Sequence, residues 1–205
     1  MKTLKKFILL LLLTGLFTSG SCSDDDEFRP TLPPITQTGE NTFGCYVDGQ
    51  LLTPRDGTGT LHTQDKGVSY SGSGTGPNYD YNEIKIRDFK TGNMGLFDLH
   101  IVDLHETGVG TYTINESNCE DGGDANPNIN IRIRWFDEKT QTLKWYCSIE
   151  NGGILIITRY DFENRIVSGT FNCTLQNRDD ASDIIEIAEG RFDLKWDTVM
   201  YTNFP

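Results

Sequence analysis

GGILIITRYDFENRIVSGTFNCTL, residues 152–175, decides the fold. Two runs rich in β-branched and aromatic residues flank the polar pair Glu163-Asn164, which predicts two long antiparallel strands joined by a tight turn. In the second run Val167, Phe171, Cys173 and Leu175 share one face, the face that must be buried. Upstream, Ile129, Ile131, Ile133 and Trp135 alternate with Asn130, Arg132, Arg134 and Phe136, the period-two pattern of a half-buried strand. Leu143 to Ile149 is expected to pair with it across the polar turn Asp137 to Thr142, with Leu143, Trp145, Cys147 and Ile149 inward. Downstream, Ile184 to Ala188 reads as a strand, Gly190 as a bulge, and Phe192, Leu194 and Trp196 as inward-facing.

The texture is the same towards the N-terminus. Asp48-Gly49, between Thr42–Val47 and Gln50–Thr53, is the strongest hairpin signal because both residues tolerate positive φ. Gly57 to Thr63 and Gly67 to Gly72 form a weaker expected pair around Gln64 to Lys66. Residues 73–82 read as a glycine-rich loop. Its Gly-x-Gly spacing does not cradle a phosphate, because a strand and not a helix follows it. Glu83 to Phe89 and Met94 to Leu104 form another expected hairpin, and Thr111 to Asn115 a short strand. No stretch predicts a helix. The expected fold class is all-β: an antiparallel meander of ten to twelve strands closing into a barrel-like sandwich, which covers edges that would otherwise lie open.

This domain spans residues 42–205 and is preceded by two segments of different character. Lys2, Lys5 and Lys6 followed by the apolar run Phe7 to Phe17 make a secretory signal, too short to span a bilayer. Ser19-Gly20-Ser21-Cys22 resembles the relaxed lipobox of Bacteroidota lipoproteins, so residues 1–21 are the expected signal peptide and Cys22 the expected lipidated residue. Ser23, Asp24, Asp25, Asp26 and Glu27 resemble the export signal that sends such lipoproteins to the cell surface; a solvated charged linker is the plainer reading. Residues 22–41, acidic and proline-rich, read as a disordered tether. Acyl chains such as palmitate on Cys22 would anchor the domain to the outer membrane.

The leader carries three of the chain's 18 basic residues and none of its 30 acidic ones, leaving the mature chain with a formal charge of −15. Such a surface repels phosphate backbones and argues against a nucleic-acid partner. Beyond Cys22 there are four cysteines, which allow three pairings outside the cytoplasm. The expected pairs are Cys45 with Cys173 and Cys119 with Cys147. Cys-x-x-Cys spacing is lacking, and no histidine neighbours these cysteines in sequence, which disfavours zinc.

Three histidines are present, His62, His100 and His105. The last two are five apart, and on one extended strand they would face opposite ways. Neither His-Glu-x-x-His nor Gly-x-Ser-x-Gly occurs. Residues 116–128, ESNCEDGGDANPN, gather oxygen ligands: Glu120, Asp121 and Asp124, with Glu116, Asn126 and Asn128 beside them. Calcium takes such donors, although their spacing departs from the alternating calcium loop, and a solvated loop is the plainer reading. Tyr79 and Tyr81, both in the glycine-rich loop, are the candidates for stacking on a sugar. No cofactor is expected.

Cys-Tyr-Val-Asp-Gly at 45–49, Gly-Thr-Tyr-Thr-Ile at 110–114, Gly-x-Leu-x-Ile-Thr-Arg-Tyr-Asp at 153–161, Ser-Gly-Thr-Phe at 168–171 and Glu-Gly-Arg-Phe-Asp at 189–193 resemble an uncharacterised family of Bacteroidota surface lipoproteins. The resemblance implies an antiparallel β architecture and a surface location, and it carries no catalytic residues. The expected function is therefore non-enzymatic: a lipid-anchored surface protein that binds an extracellular ligand, glycan or partner protein. The alternatives are a periplasm-facing lipoprotein with a structural envelope role, and an atypical hydrolase using its acidic residues.

Overall fold

The computed structural model describes residues 30–60, 63–73, 81–90, 95–120 and 126–205. Ten strands form one antiparallel sheet curled into a half-barrel: β1 (Thr42–Val47), β2 (Gln50–Leu52), β3 (Val68–Ser73), β4 (Tyr81–Arg87), β5 (Leu96–Val102), β6 (Gly110–Ile114), β7 (Asn130–Asp137), β8 (Thr142–Asp161), β9 (Ile166–Asn177) and β10 (Ile184–Lys195). Their order is β2-β1-β10-β9-β8-β7-β5-β4-β3, with β6 added beside the second half of β8. Placing β1 against β10 is the move that closes an up-and-down barrel. The remaining seam is bridged by Arg55, which pairs with Asp88 through backbone and through a bidentate contact of 2.8 and 2.6 Å. Trp196, stacked on Tyr70 of β3 at 5.6 Å and on Tyr160 at 6.0 Å, reinforces that closure.

Inside, Phe43 lies 5.0 Å from Phe97 and 5.8 Å from Phe171, and Phe171 lies 6.3 Å from Phe192. These rings, with Ile84, Leu99, Ile131 and Leu155, fill the interior. Gly190 is required beside them, since a Cβ there would sit 2.4 Å from the Phe171 ring. The expected bulge falls here, between Ile187 and Gly190. Asp48 and Gly49 both have positive φ, 46° and 79°, the backbone of a primed turn.

The structure corrects several expectations. Residues 57–60 form a loop in place of a strand, tied by Gly57 N–H to Asp65 O at 2.9 Å, and β3 pairs with β4 instead. A helical turn, α1 (Leu104–Thr107), follows β5, and a 3-10 turn covers Val199–Tyr201. The two runs read as separate strands at 143–149 and from 152 are one strand, β8, irregular between Ser148 and Gly153.

The face assignment of β8 is inverted relative to expectation. Tyr146 is buried in the core, while Cys147 points to the outer face and joins Cys119 in a disulfide with Cα atoms 5.6 Å apart. The outer face here lies beneath residues 115–120 and 126–129. Both faces are thus covered, and apolar alternation does not say which is which. Cys45 and Cys173 are both buried and free, which corrects the expected Cys45–Cys173 pair. Strand β10 lies between their strands, so about 10 Å separates them, beyond the ~7 Å Cα limit for a disulfide.

The tether expected over 22–41 gives way to a docked strap from residue 30 onward. Asp193, on the outer face of β10 and 1% exposed, accepts bonds from Thr36 Oγ1 (2.7 Å), Thr38 N (2.9 Å), Gly39 N (2.9 Å), Glu40 N (3.2 Å) and Ser168 Oγ (2.7 Å). Arg159 and Arg191 add bonds to the carbonyls of Gln37 and Pro33. Burial pulls the Asp193 carboxyl up, and donors led by Ser168 and Thr36 outweigh it, so its proton affinity ends below that of an ordinary aspartate.

Candidate functional site

Besides the Asp193 cluster under the strap, two polar assemblies stand out among the described residues outside the apolar core. The first is a sealed patch on the outer face of β4, β5 and β7. In this patch the sequence places Glu83 and Lys85, Asp98 and His100, and Arg132 and Arg134 at alternate positions, the parity opposite to the core residues Ile84, Leu99 and Ile131. Arg132 pairs closely with Asp98 and lies 4.8 Å over the Trp145 ring. His100 Nδ1 is 3.0 Å from Glu83 Oε1, and its Nε2 is 3.1 Å from the carbonyl of Asn126. Asn126 Oδ1 in turn accepts from the backbone N–H of Asn118, at 2.9 Å. The His100 bond holds the Glu83 carboxyl below its ordinary range, whereas burial pushes Asp98 up despite Arg132. The cavity among Glu83, Asp98, His100, Asn130 and Arg132 is about 10 Å³, room for about one water. The patch therefore works as an adhesive: with the Cys119–Cys147 bond, it fastens residues 115–120 and 126–129 to the sheet.

The second assembly is an open groove of about 420 Å³ at the end of the half-barrel marked by the Asp48-Gly49 turn. The β7–β8 turn and the β9–β10 loop supply its other walls. Lys144 spans the groove floor, with Nζ 2.6 Å from Asp137 and 2.7 Å from Asp183. Asp183 also accepts from Tyr146 Oη at 3.1 Å and from Asn177 Nδ2 at 2.8 Å. Lys144 holds both carboxyls below the usual aspartate range, and they raise the lysine in return. Burial, then Asp183, pushes the Tyr146 phenol up to about 12. Trp135, Phe136 and Ile184 supply apolar wall, and Gln50 an exposed side-chain amide. A volume of this size, with mixed apolar and polar lining, suits a small molecule or a few sugar rings.

The groove contains none of the sites read from sequence, and the sealed patch meets them only at its edge, where Glu120 and Asn126 line its cavity. Cys22, Ser23, Asp24, Asp25, Asp26, Glu27, His62, Tyr79, Asp121 and Asp124 lie outside the described residues. Tyr81 is the first residue of β4 and half-buried, with its ring stacked on His100 at 5.7 Å. Glu120 is exposed and Asn126 is committed to Asn118 and His100, and among the described residues no three acidic, histidine or cysteine side chains are grouped to hold a metal ion. His105 belongs to α1, packed against Phe162 at 4.8 Å, and so shares no strand with His100. The groove residues carried one weak signal in sequence, the clustering of Asp and Lys at turns that alternate strands bring to the same end. No family model, curated protein or solved structure matches this chain.

Proposed function

We propose that this protein is a lipid-anchored, surface-exposed binding module that takes a neutral or amino-bearing glycan in the groove beside the Asp48-Gly49 turn. The observation that carries the reading is the position of the groove. Residue 30, the first described residue of the strap, lies beside Thr53, Pro54 and Phe204, at the opposite end of the β1–β2 hairpin from Asp48 and Gln50. An anchor at Cys22 therefore directs the groove away from the membrane.

Charge selects the ligand class. Five carboxylates, Asp48, Asp137, Glu138, Asp180 and Asp183, face two ammonium groups, Lys139 and Lys144, in the groove walls. Uronates and sialates are repelled, and hydroxyl or amino groups are welcomed as donors. Binding is favoured over hydrolysis because a glycosidase needs one carboxyl that keeps its proton near neutrality. Asp137 and Asp183 are both shifted the other way, and Asp98, which is shifted up, sits in the sealed patch on the sheet's outer face.

Titration calorimetry with neutral, amino and uronic oligosaccharides tests this reading. Heat is expected from the first two classes and is expected to disappear in Gln50→Ala/Phe136→Ala. Binding that survives that double substitution, or that prefers uronates, refutes it. Protease shaving of intact cells tests the location, since only an outward-facing domain is clipped.

A further inference from the structure

Four large apolar side chains among the described residues expose more than half their surface: Tyr201 at 75%, Val109 at 61%, Ile35 at 59% and Met200 at 55%. Val109 stands apart, ahead of β6. The other three belong to the strap and to the 3-10 turn beside it, and those two segments are bonded together. Asn41 Nδ2 donates to Thr198 Oγ1 at 3.1 Å and to Thr202 Oγ1 at 2.9 Å, and Asn41 Oδ1 accepts from Lys195 N at 2.8 Å. Lys66 Nζ fixes the same tail through the Thr202 carbonyl at 3.0 Å. Three of these four side chains thus belong to two segments that are bonded together, and the tail's Phe204 and Pro205 line one pocket with Pro30 and Thr31.

We infer that this rim is a bilayer contact: Ile35, Met200 and Tyr201 rest in the interfacial layer of the membrane that holds Cys22. The inference rests on the proposed lipid anchor and adds an orientation to it. Only residues 22–29 separate the lipidated cysteine from the docked strap, a reach of about 27 Å when fully extended. A domain on so short a leash meets the membrane often, and the side that meets it is the one beside residue 30. Tyrosine is suited to that layer, with an apolar ring and a hydroxyl that stays hydrated. Met200 and Ile35 gain by leaving water. With the rim seated, the groove faces outward.

The test uses the lipidated full chain in phosphatidylethanolamine/phosphatidylglycerol vesicles containing nitroxide-labelled lipid. One sample carries a fluorophore on Asn203→Cys, beside the rim, and another on Gln50→Cys, at the groove; Cys45 and Cys173 are buried. Lipid-phase quenching is expected to be about fivefold stronger at position 203 than at position 50. Adding Ile35→Ser, Met200→Ser and Tyr201→Ser is expected to bring the two close to equal while the protein still floats with the vesicles. Equal quenching of the two sites in the parent chain, with flotation retained, overturns the bilayer contact and leaves the anchor standing. Failure to float overturns the anchor, and the contact with it.

Discussion

Replacing Asp193 with asparagine is expected to lift the strap from a half-barrel that stays folded. The carboxylate takes Thr36, Thr38 and Glu40 on Oδ2, and Gly39 and Ser168 on Oδ1. An asparagine offers one acceptor and one amide, so whichever way it turns, at least one backbone N–H faces an N–H group and a hydroxyl, Thr36 or Ser168, must reverse to accept. A hydrogen bond to a charged group is worth about 1.5–3 kcal/mol, and such bonds are not additive within a shared network. Undocking caps the loss, because the freed strap donors then bond to water. The expected cost to strap docking is about 3 kcal/mol, or roughly 150-fold in the opening equilibrium. Amide hydrogen exchange reads this directly: Thr38, Gly39 and Glu40 should exchange about 150-fold faster in Asp193→Asn, while the β8–β9 ladder keeps most of its protection. Unchanged protection of those three amides would refute the reasoning. Acid should act in the same direction. The folded carboxyl holds its charge to lower pH than a free aspartate, so its contribution is complete above about pH 5. It fades as acidification protonates the folded group.

Further outcomes follow from the same contacts. The pair Cys119→Ser/Cys147→Ser opens a link of sequence separation 28 and should cost about 3–4 kcal/mol in urea unfolding, a loss that reducing agent reproduces in the parent. Non-reducing mass spectrometry should find Cys45 and Cys173 as thiols, and a Cys45–Cys173 bridge would contradict the sheet order. Arg132→Ala leaves Asp98 in its sealed patch with only the longer Arg87 contact of 3.9 Å and should destabilise by about 3 kcal/mol, whereas Arg132→Met/Asp98→Leu should recover most of that loss by removing both charges. Equal losses in the single and double variants would show that the pair's charge is irrelevant. Phe171→Ala removes the ring shared by Phe43, Phe97 and Phe192 and should cost about 3–5 kcal/mol by thermal or urea melting.

Wherever one covering layer decides burial, the fold was legible in the sequence. The Asp48-Gly49 turn, the β8–β9 hairpin, the Gly190 bulge and the alternation of Phe43, Cys45 and Val47 all follow from period-two patterning and turn chemistry. Legibility failed wherever a second layer lies on the sheet's outer face. Asp193 reads as a solvent-facing acid and is nearly inaccessible because the strap covers it. Trp145 and Cys147 look like core residues, yet they face outward, toward the arginines and the stapled residues 115–120. Proline-rich composition marks the strap as unable to form a core of its own, which is true, but it gives no sign that a single carboxylate gathers the strap's amides. The groove was hidden for another reason: its walls come from three turns far apart in sequence, and only the sheet order, with β1 beside β10, assembles them.

The unpaired cysteines have a consequence for how the chain matures. Burial suppresses ionisation of both thiols, lifting Cys173 to about 12 and Cys45 higher still, so neither supplies the thiolate that disulfide exchange requires. Once the sheet has wrapped, Cys119 and Cys147 have no competitors within the domain. Before it wraps, all four sulfurs are accessible and five of the six possible single bridges are wrong. Correct oxidation thus depends on collapse preceding it, and an oxidant that outruns folding would trap this chain in a form the native interior can no longer sort out.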